Sequence, residues 1–233
     1  MSNIRFIKDF HHFTSFLRTT TYHNSIGFHK VLNGNTFPQE FRIRNHVKIS
    51  SGVLAGLNQG NLIVNPDPAP IGVDFSNLTG FAVGGVFNFE FPGGFEIQVE
   101  PMYIQNGAKV SDNGTEYKIK TNYIDVPAML MYTFSIGQGA VEPYIMAGPV
   151  WGLRLSAKEA DGYESDIKDY IKGTNLGGTF GAGVKIPAGI NKIFIEGRYT
   201  IGFSDINNGY RPGYTLKTKG LALFAGITFP FGS

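Results

Sequence analysis

An all-β fold, an eight-stranded antiparallel up-and-down barrel that crosses a membrane, is what this sequence predicts, and three observations predict it. Connections between β-like segments alternate short and long along the chain. Within each segment, apolar and polar residues alternate with the period of two that places them on opposite faces of a strand. No run approaches the roughly 18 consecutive apolar residues of a membrane-spanning helix, so helices are not the spanning element.

The alternation of connections is read as follows. Phe91 to Phe95, Ser135 to Ala140 and Pro187 to Asn191 are short turns. Gln59 to Leu78, Asn106 to Tyr117, Ala157 to Thr174 and Asp205 to Thr215 are long polar loops. In an up-and-down sheet every second connection lies at the same end, so all the short turns share one rim and all the long loops share the other. Outer-membrane barrels have this asymmetry, with short periplasmic turns and longer extracellular loops.

The segments themselves run from Val47 to Leu57, Thr79 to Phe91, Phe95 to Gln105, Lys118 to Phe134 and Val141 to Leu155. Asn175 to Ile186, Lys192 to Ser204 and Leu216 to Phe231 complete the set. Most are as long as the ~9–11 residues a tilted strand needs to cross a bilayer. The second places Phe81, Val83, Phe87, Phe89 and Phe91 on one face, with Ala82, Val86, Asn88 and Glu90 on the other. The last places Leu221, Leu223, Ala225 and Ile227 opposite Ala222, Phe224 and Thr228.

The apolar face is nearly free of charge. The opposite face is Gly, Ala, Met and Thr, with isolated charges of both signs at Glu90, Glu100, Asp125, Glu142, Arg154, Lys185, Glu196 and Arg198. A soluble lipocalin-like barrel turns its apolar face inward and shows water a face rich in Lys, Glu and Thr. Small residues with sparse mixed charges instead suit a crowded lumen that pairs its ions, the interior of a small membrane barrel. Aromatic residues sort into two belts. Phe89, Phe91, Phe95, Tyr132, Phe134, Phe229 and Phe231 lie beside the short turns, and Phe81, Tyr103, Tyr123, Trp151 and Phe203 lie nearer the long loops. Such belts mark the two membrane interfaces.

Composition narrows the function. Of 233 residues, 31 are glycine, 14% are aromatic and 16% are charged, and there is no cysteine. Disulfides, thiol catalysis and cysteine-ligated metals are therefore excluded. A formal net charge of +2 without a basic stripe argues against nucleic acid as a partner. All five histidines, His11, His12, His23, His29 and His46, precede or only just enter the first strand. Hydrolases on small membrane barrels use a positioned histidine as base, so no catalytic residue and no enzyme activity is expected. Glu100 and Asp125 as a carboxylate pair are weighed against an ion network with the interior cations, and the network is favoured because buried charges need partners. The acidic stretch from Lys158 to Asp169 lacks the ligand spacing of a calcium loop. No metal or cofactor is expected.

Residues 1–45 form a basic, acid-poor segment without the apolar core or small-residue cleavage site of a signal peptide. They are read as an N-terminal extension, either a flexible periplasmic segment or a non-native leader, ahead of a barrel over 46–233.

Several motifs occur in order along this barrel: Val99-Glu100-Pro101-Met102-Tyr103, Asn122 to Pro127, Pro143 to Pro149, Gly177 to Val184 and Ile195-Glu196-Gly197-Arg198-Tyr199. Together they resemble the PorT-like outer-membrane β-barrel domain. The resemblance spans Val47 to Phe231. It implies an eight-stranded barrel in the outer membrane of a diderm bacterium, with relatives linked to protein secretion and no catalytic residue to carry over. The expected partners are the outer-membrane lipid bilayer and an envelope protein, and the expected role is a structural or interaction scaffold. A narrow pore or small-ligand carrier using the polar interior is the alternative, and a soluble lipid-binding barrel is the third reading.

Overall fold

Period-two alternation persists beyond the segments that read as strands, and the strands of the computed structural model are correspondingly long. The structure describes residues 47–65, 73–112, 115–134, 141–161, 163–210 and 212–231. These contain β1 (Lys48–Asn65), β2 (Val73–Glu90), β3 (Phe95–Val99), β4 (Met102–Asp112) and β5 (Thr115–Thr133). They continue with β6 (Glu142–Asp161), β7 (Tyr163–Asp166), β8 (Thr174–Ala188), β9 (Asn191–Gly202) and β10 (Thr215–Pro230). Every pairing between them is antiparallel, and β1 pairs with both β2 and β10, so the sheet closes on itself.

Eight staves make the ring. β3 and β4 both lie between β2 and β5 and are one stave broken at Glu100-Pro101. Proline has no N–H for the ladder, and neighbouring groups bridge the gap. Gly85 N–H donates to the Pro101 carbonyl at 3.0 Å, and Glu100 N–H donates to the Pro127 carbonyl at 3.1 Å. β7 pairs with β6 alone, as a hairpin extension above the ring.

The wall reverses its polarity partway up. Through the lower and middle staves apolar side chains point outward: Leu57, Phe81, Leu130, Ile145, Ile195, Leu221 and Leu223 are all exposed, and Leu223 keeps 59% of its surface. Their chain neighbours Asn58, Ala82, Met129, Tyr144, Glu196 and Ala222 are buried in the lumen. That outward apolar band excludes the soluble carrier, whose apolar residues would face in. Toward the long-connection end the sense inverts. Leu62, Val73, Ala108, Val110, Ile119 and Leu216 turn inward, joined by Ile167, Ile171 and Ile206 from the connections above. Lys109, Glu116, Lys118 and Lys158 point out. Water and polar headgroups rather than acyl chains surround this upper collar, so the hydrophobic effect drives apolar residues to its interior.

The collar corrects the reading of the long loops. Most of the stretch from Asn106 to Tyr117 is strand, with β4 and β5 paired up to Asp112↔Thr115 and only 113–114 between them. Gln59 to Asn65 and Val73 to Leu78 are likewise strand. Ala157 to Thr174 holds the end of β6, β7 and a 3-10 turn at Lys168–Tyr170. Asp205 to Thr215 is a loop, tied to its neighbour by an isolated bridge between Ile171 and Asn207. At the other rim, Phe91 N–H donates to the Phe95 carbonyl at 2.8 Å across a turn in which Gly93 and Gly94 have φ of 90° and 86°, where side chains are strained. The turn expected from Ser135 to Ala140, the extension expected over 1–45 and all five histidines lie outside the described residues.

Two β-bulges shift the phase where the polarity changes. Between β5 and β6 the register passes from Asn122↔Ser156 to Tyr123↔Arg154, so Leu155 is the extra residue. Between β2 and β4 a one-residue shift falls between Asn77 and Ala82.

Candidate functional site in the lumen and outer connections

Three charge clusters fill the lumen toward the short-turn rim. Nearest the rim, the Lys192 ammonium lies 3.4 Å from Glu90 and 3.1 Å from Glu142. Deeper in, Lys185 pairs with Glu96, whose carboxylate also accepts from Asn88 Nδ2 at 2.6 Å and Thr133 Oγ1 at 2.5 Å. Deeper still, the Arg198 guanidinium is bidentate on Glu100, with Nη1 to Oε2 at 2.5 Å and Nη2 to Oε1 at 2.7 Å. Nη2 also donates to Glu196, which accepts the Tyr144 hydroxyl at 2.5 Å, and Gln98 donates to Glu100.

Aromatic faces join the clusters. Lys185 Nζ lies 5.2 Å from the centre of the Tyr144 ring, and Arg198 Cζ lies 4.7 Å from that of Phe224, within cation–π range. Room for Tyr144 comes from Gly183, where a Cβ would sit 2.6 Å from the phenol ring. Met129, Met131 and Met146 pack around the same tyrosine.

The expected interior charges therefore divide. Glu100, Glu196 and Arg198 meet in one cluster. Glu90 and Glu142 meet in another around Lys192, and Lys185 sits in the third. Asp125 and Arg154 join none of these. Arg154 is half-buried beside the Leu155 bulge, and its Nε donates at 3.2 Å to the Lys172 carbonyl of the outer connection. Its partner across the sheet is the inward Tyr123, so its phase is the one alternation gives, but it stands on β6 well above the ion layers. Asp125 is buried in mid-lumen, and among the described residues no cation pairs with it. It is 9% exposed and borders a cavity of about 40 Å³ with Asn58, Asn106, Asn175, Thr179 and Thr218. Glu100 and Asp125 do not form a carboxylate pair, because Glu100 is held by Arg198. Glu96 and Lys192 escaped the sequence reading. The signal for both was present, since Glu96 is in phase with Glu100 and Lys192 with Glu196.

Above the cavity the lumen is closed by the apolar collar and its two laced connections. Lys172 N–H donates to the Ile206 carbonyl at 2.8 Å, and Asn208 N–H to the Tyr170 carbonyl at 2.9 Å. Asp205 accepts the backbone N–H groups of Asn207 at 3.0 Å and Leu216 at 2.8 Å, and lies 3.6 Å from Lys172. Partial burial pushes the Asp205 carboxyl up, but these N–H groups and Lys172 outweigh it and hold the group below its ordinary value. Tyr210 donates to Glu159 at the edge of an open hollow with Pro212 and Tyr214. Tyr163 stands almost free, 89% exposed. Among the described residues, no three His, Cys, Asp or Glu side chains are grouped to hold a metal ion.

The aromatic residues divide in the same way. Phe91, Phe134, Phe229, Phe231 and Trp151 are exposed on the outer wall, and Phe89 is half-buried there. Tyr132 lies between Phe95 and Phe134, its ring 5.1 and 4.9 Å from theirs. Tyr123, expected in the upper belt, is instead fully buried, because residues of its parity on β5 point into the lumen.

A closed antiparallel ring with an outward apolar band, aromatic rims and a charged, filled lumen defines an integral outer-membrane barrel. The family model described as the outer membrane protein beta-barrel domain matches residues 37–208, well over half the chain, and the chain belongs to that family. It is embedded in the lipid bilayer of the bacterial outer membrane. Among solved structures, the outer membrane protein OprG from Pseudomonas aeruginosa is similar at 14% identity, over 81% of this chain and 98% of that one, with a TM-score of 0.50. Neisserial surface protein A is similar at 16% identity, over 78% and 97%, with a TM-score of 0.47. Ail, the attachment invasion locus protein of Yersinia pestis, solved with the heparin analogue sucrose octasulfate, is similar at 17% identity over 78% and 99%, with a TM-score of 0.42. At such identities the likeness concerns the fold alone. No curated protein matches the chain.

Proposed function

We propose that this barrel is a plugged, non-catalytic scaffold that presents its outer connections to another protein of the envelope. The observation that carries the reading is the filling of the lumen. Three ion clusters with the methionine–tyrosine group packed among them occupy one part of the lumen, and the apolar collar closes it above. Side chains that pair with one another across the lumen are spent on closing it rather than on coordinating a passing solute. Binding sites on such scaffolds concentrate in the connections. Here two connections are braced by backbone hydrogen bonds and offer Tyr163, Tyr170 and Tyr214, large contact surfaces that lose little entropy on binding. The motifs around Glu100, Pro127, Gly148 and Arg198 support a place among PorT-like barrels, and with it a partner in a secretion-related assembly.

The test is a photo-crosslinking residue placed at Tyr163 or Tyr214 in living cells. A discrete protein adduct at the outer connections, absent from a probe at Leu223, is the expected result. Adducts to lipid alone at every position, together with solute uptake by vesicles carrying the protein, would overturn the scaffold. A specific observation favours a second reading, a narrow pore or small-ligand carrier: the mid-lumen cavity beside Asp125, with which no cation pairs among the described residues. Solute uptake that Asp125→Asn abolishes is the result that would establish it.

A further inference from the structure

The outer wall carries a set of lysines above the aliphatic band that the lumen and its plug do not use. Lys219 and Lys217 occupy the next two outward positions on β10 above the exposed Leu221. Lys158 is the second outward residue above the exposed Leu155 on β6, after Ser156. Lys109 on β4 and Lys118 and Lys120 on β5 stand beside it, each flanked by inward-facing neighbours such as Ala108, Val110, Ile119 and Thr121. Two residues advance a strand by about 6.6–6.8 Å, and the headgroup layers together add roughly 10–15 Å to a ~30 Å hydrocarbon core. These ammonium groups therefore leave the aliphatic band at the depth of the outer-leaflet headgroups.

Their placement is costly to the barrel alone. Lys109 is directly across from Lys118, and Lys120 is directly across from Lys158. Like charges directly opposite on a sheet repel. Glu164 of β7 relieves one pair, at 3.1 Å from Lys120 and 2.8 Å from Lys158, and Asp166 lies across from Lys158. Glu116 is the acid nearest in sequence on the face of Lys118. On the far side of the ring the cross-strand neighbours of Lys217 and Lys219 are Ile63, Asn61 and Ile201, none of them acidic. The short-turn rim shows the opposite design. Its Lys185 and Lys192 are turned into the lumen, and the outer wall there bears Phe91, Phe95 and Phe229.

We infer that this lysine set binds phosphate-bearing lipid headgroups of the outer leaflet, which supply the counter-charge that the strands beside Lys217 and Lys219 lack. The aliphatic wall just below holds the acyl chains of the same molecules, so each lipid is gripped at both ends. Free phosphate would meet the lysines without that second contact.

The test uses the full chain in vesicles of phosphatidylcholine, with or without bisphosphorylated lipid A, and follows the midpoint of the heat-dependent gel shift. Lipid A is expected to raise the midpoint of the native protein, and high salt to erase the rise. In the variant K109Q/K118Q/K217Q/K219Q the increment from lipid A should vanish, with lipid A affinity falling about fivefold per lysine removed. Reading the increment within each variant separates lipid binding from any change in intrinsic stability. Equal increments in native and variant protein would overturn the inference. So would an equal rise in pure phosphatidylcholine vesicles given inorganic phosphate alone, which would make the patch a site for free anions.

Discussion

Arg198 and Glu100 face each other across the lumen from opposite sides of the ring and form a bidentate pair, at 2.5 and 2.7 Å, with 3% and none of their side-chain surfaces exposed. Glu196 is the second carboxylate on the same guanidinium. Replacing Arg198 by Met would strand two buried carboxylates at once, and the expected cost is about 3–5 kcal/mol. Adding Glu100→Gln should recover part of the loss. Urea titration of the refolded protein in lipid vesicles measures both. An Arg198→Met protein as stable as the native one would mean that the lumen is wet and its charges individually solvated.

Leu223→Arg places a charge on the lipid face of β10, and it should cost about 2–4 kcal/mol if the position lies near the bilayer midplane. Ala222→Ser, one residue away and lining the lumen, should cost much less. The same titration compares them, and equal costs would reverse the assignment of faces.

How much of this was legible in the sequence depended on the surroundings of each strand. Between Leu221 and Thr228, or Ile193 and Arg198, a single environment on each side makes alternation a direct record of the face. The apolar outward band and the cluster of Glu196 with Arg198 could therefore be read. The collar could not, because water and headgroups replace acyl chains there and the same alternation changes meaning. Lys109 read as loop polarity while Ala108 and Val110 were packing inward. Bulges were invisible too. The extra Leu155, with no proline or glycine to announce it, resets the alternation of β6 above Arg154, so that Ser156 and Lys158 face out. Tyr123 was misplaced for a different reason, since its aromatic character was given more weight than its phase on β5.

Asp205 provides a pH-dependent prediction in the outer connections. Its folded carboxyl lies below the ordinary value, so the group stabilises the loop above its unfolded pKa of about 3.9. That contribution is lost as pH falls through the lower, folded value. Hydrogen exchange at the Leu216 amide, which donates to Asp205 at 2.8 Å, should stay protected near neutral pH and open only in strong acid. Asp205→Asn should raise exchange at neutral pH and flatten its acid dependence. Protection that falls well above the ordinary carboxylate range would contradict the sign of the shift.

Topology can be read on intact cells. Chymotrypsin added outside should cut beside Tyr163, the most exposed of the large side chains, within the connection between β6 and β8. The Phe91–Phe95 turn should stay intact until the envelope is opened. Cleavage at that turn in intact cells would invert the orientation.

Planar-bilayer recording of the purified, heat-modifiable protein tests the central claim, a lumen closed by its own side chains, most directly. No steady conductance above the lipid baseline is predicted for the native chain. A stable ohmic conductance in the native protein would contradict the plugged barrel and place the pore reading ahead of the scaffold.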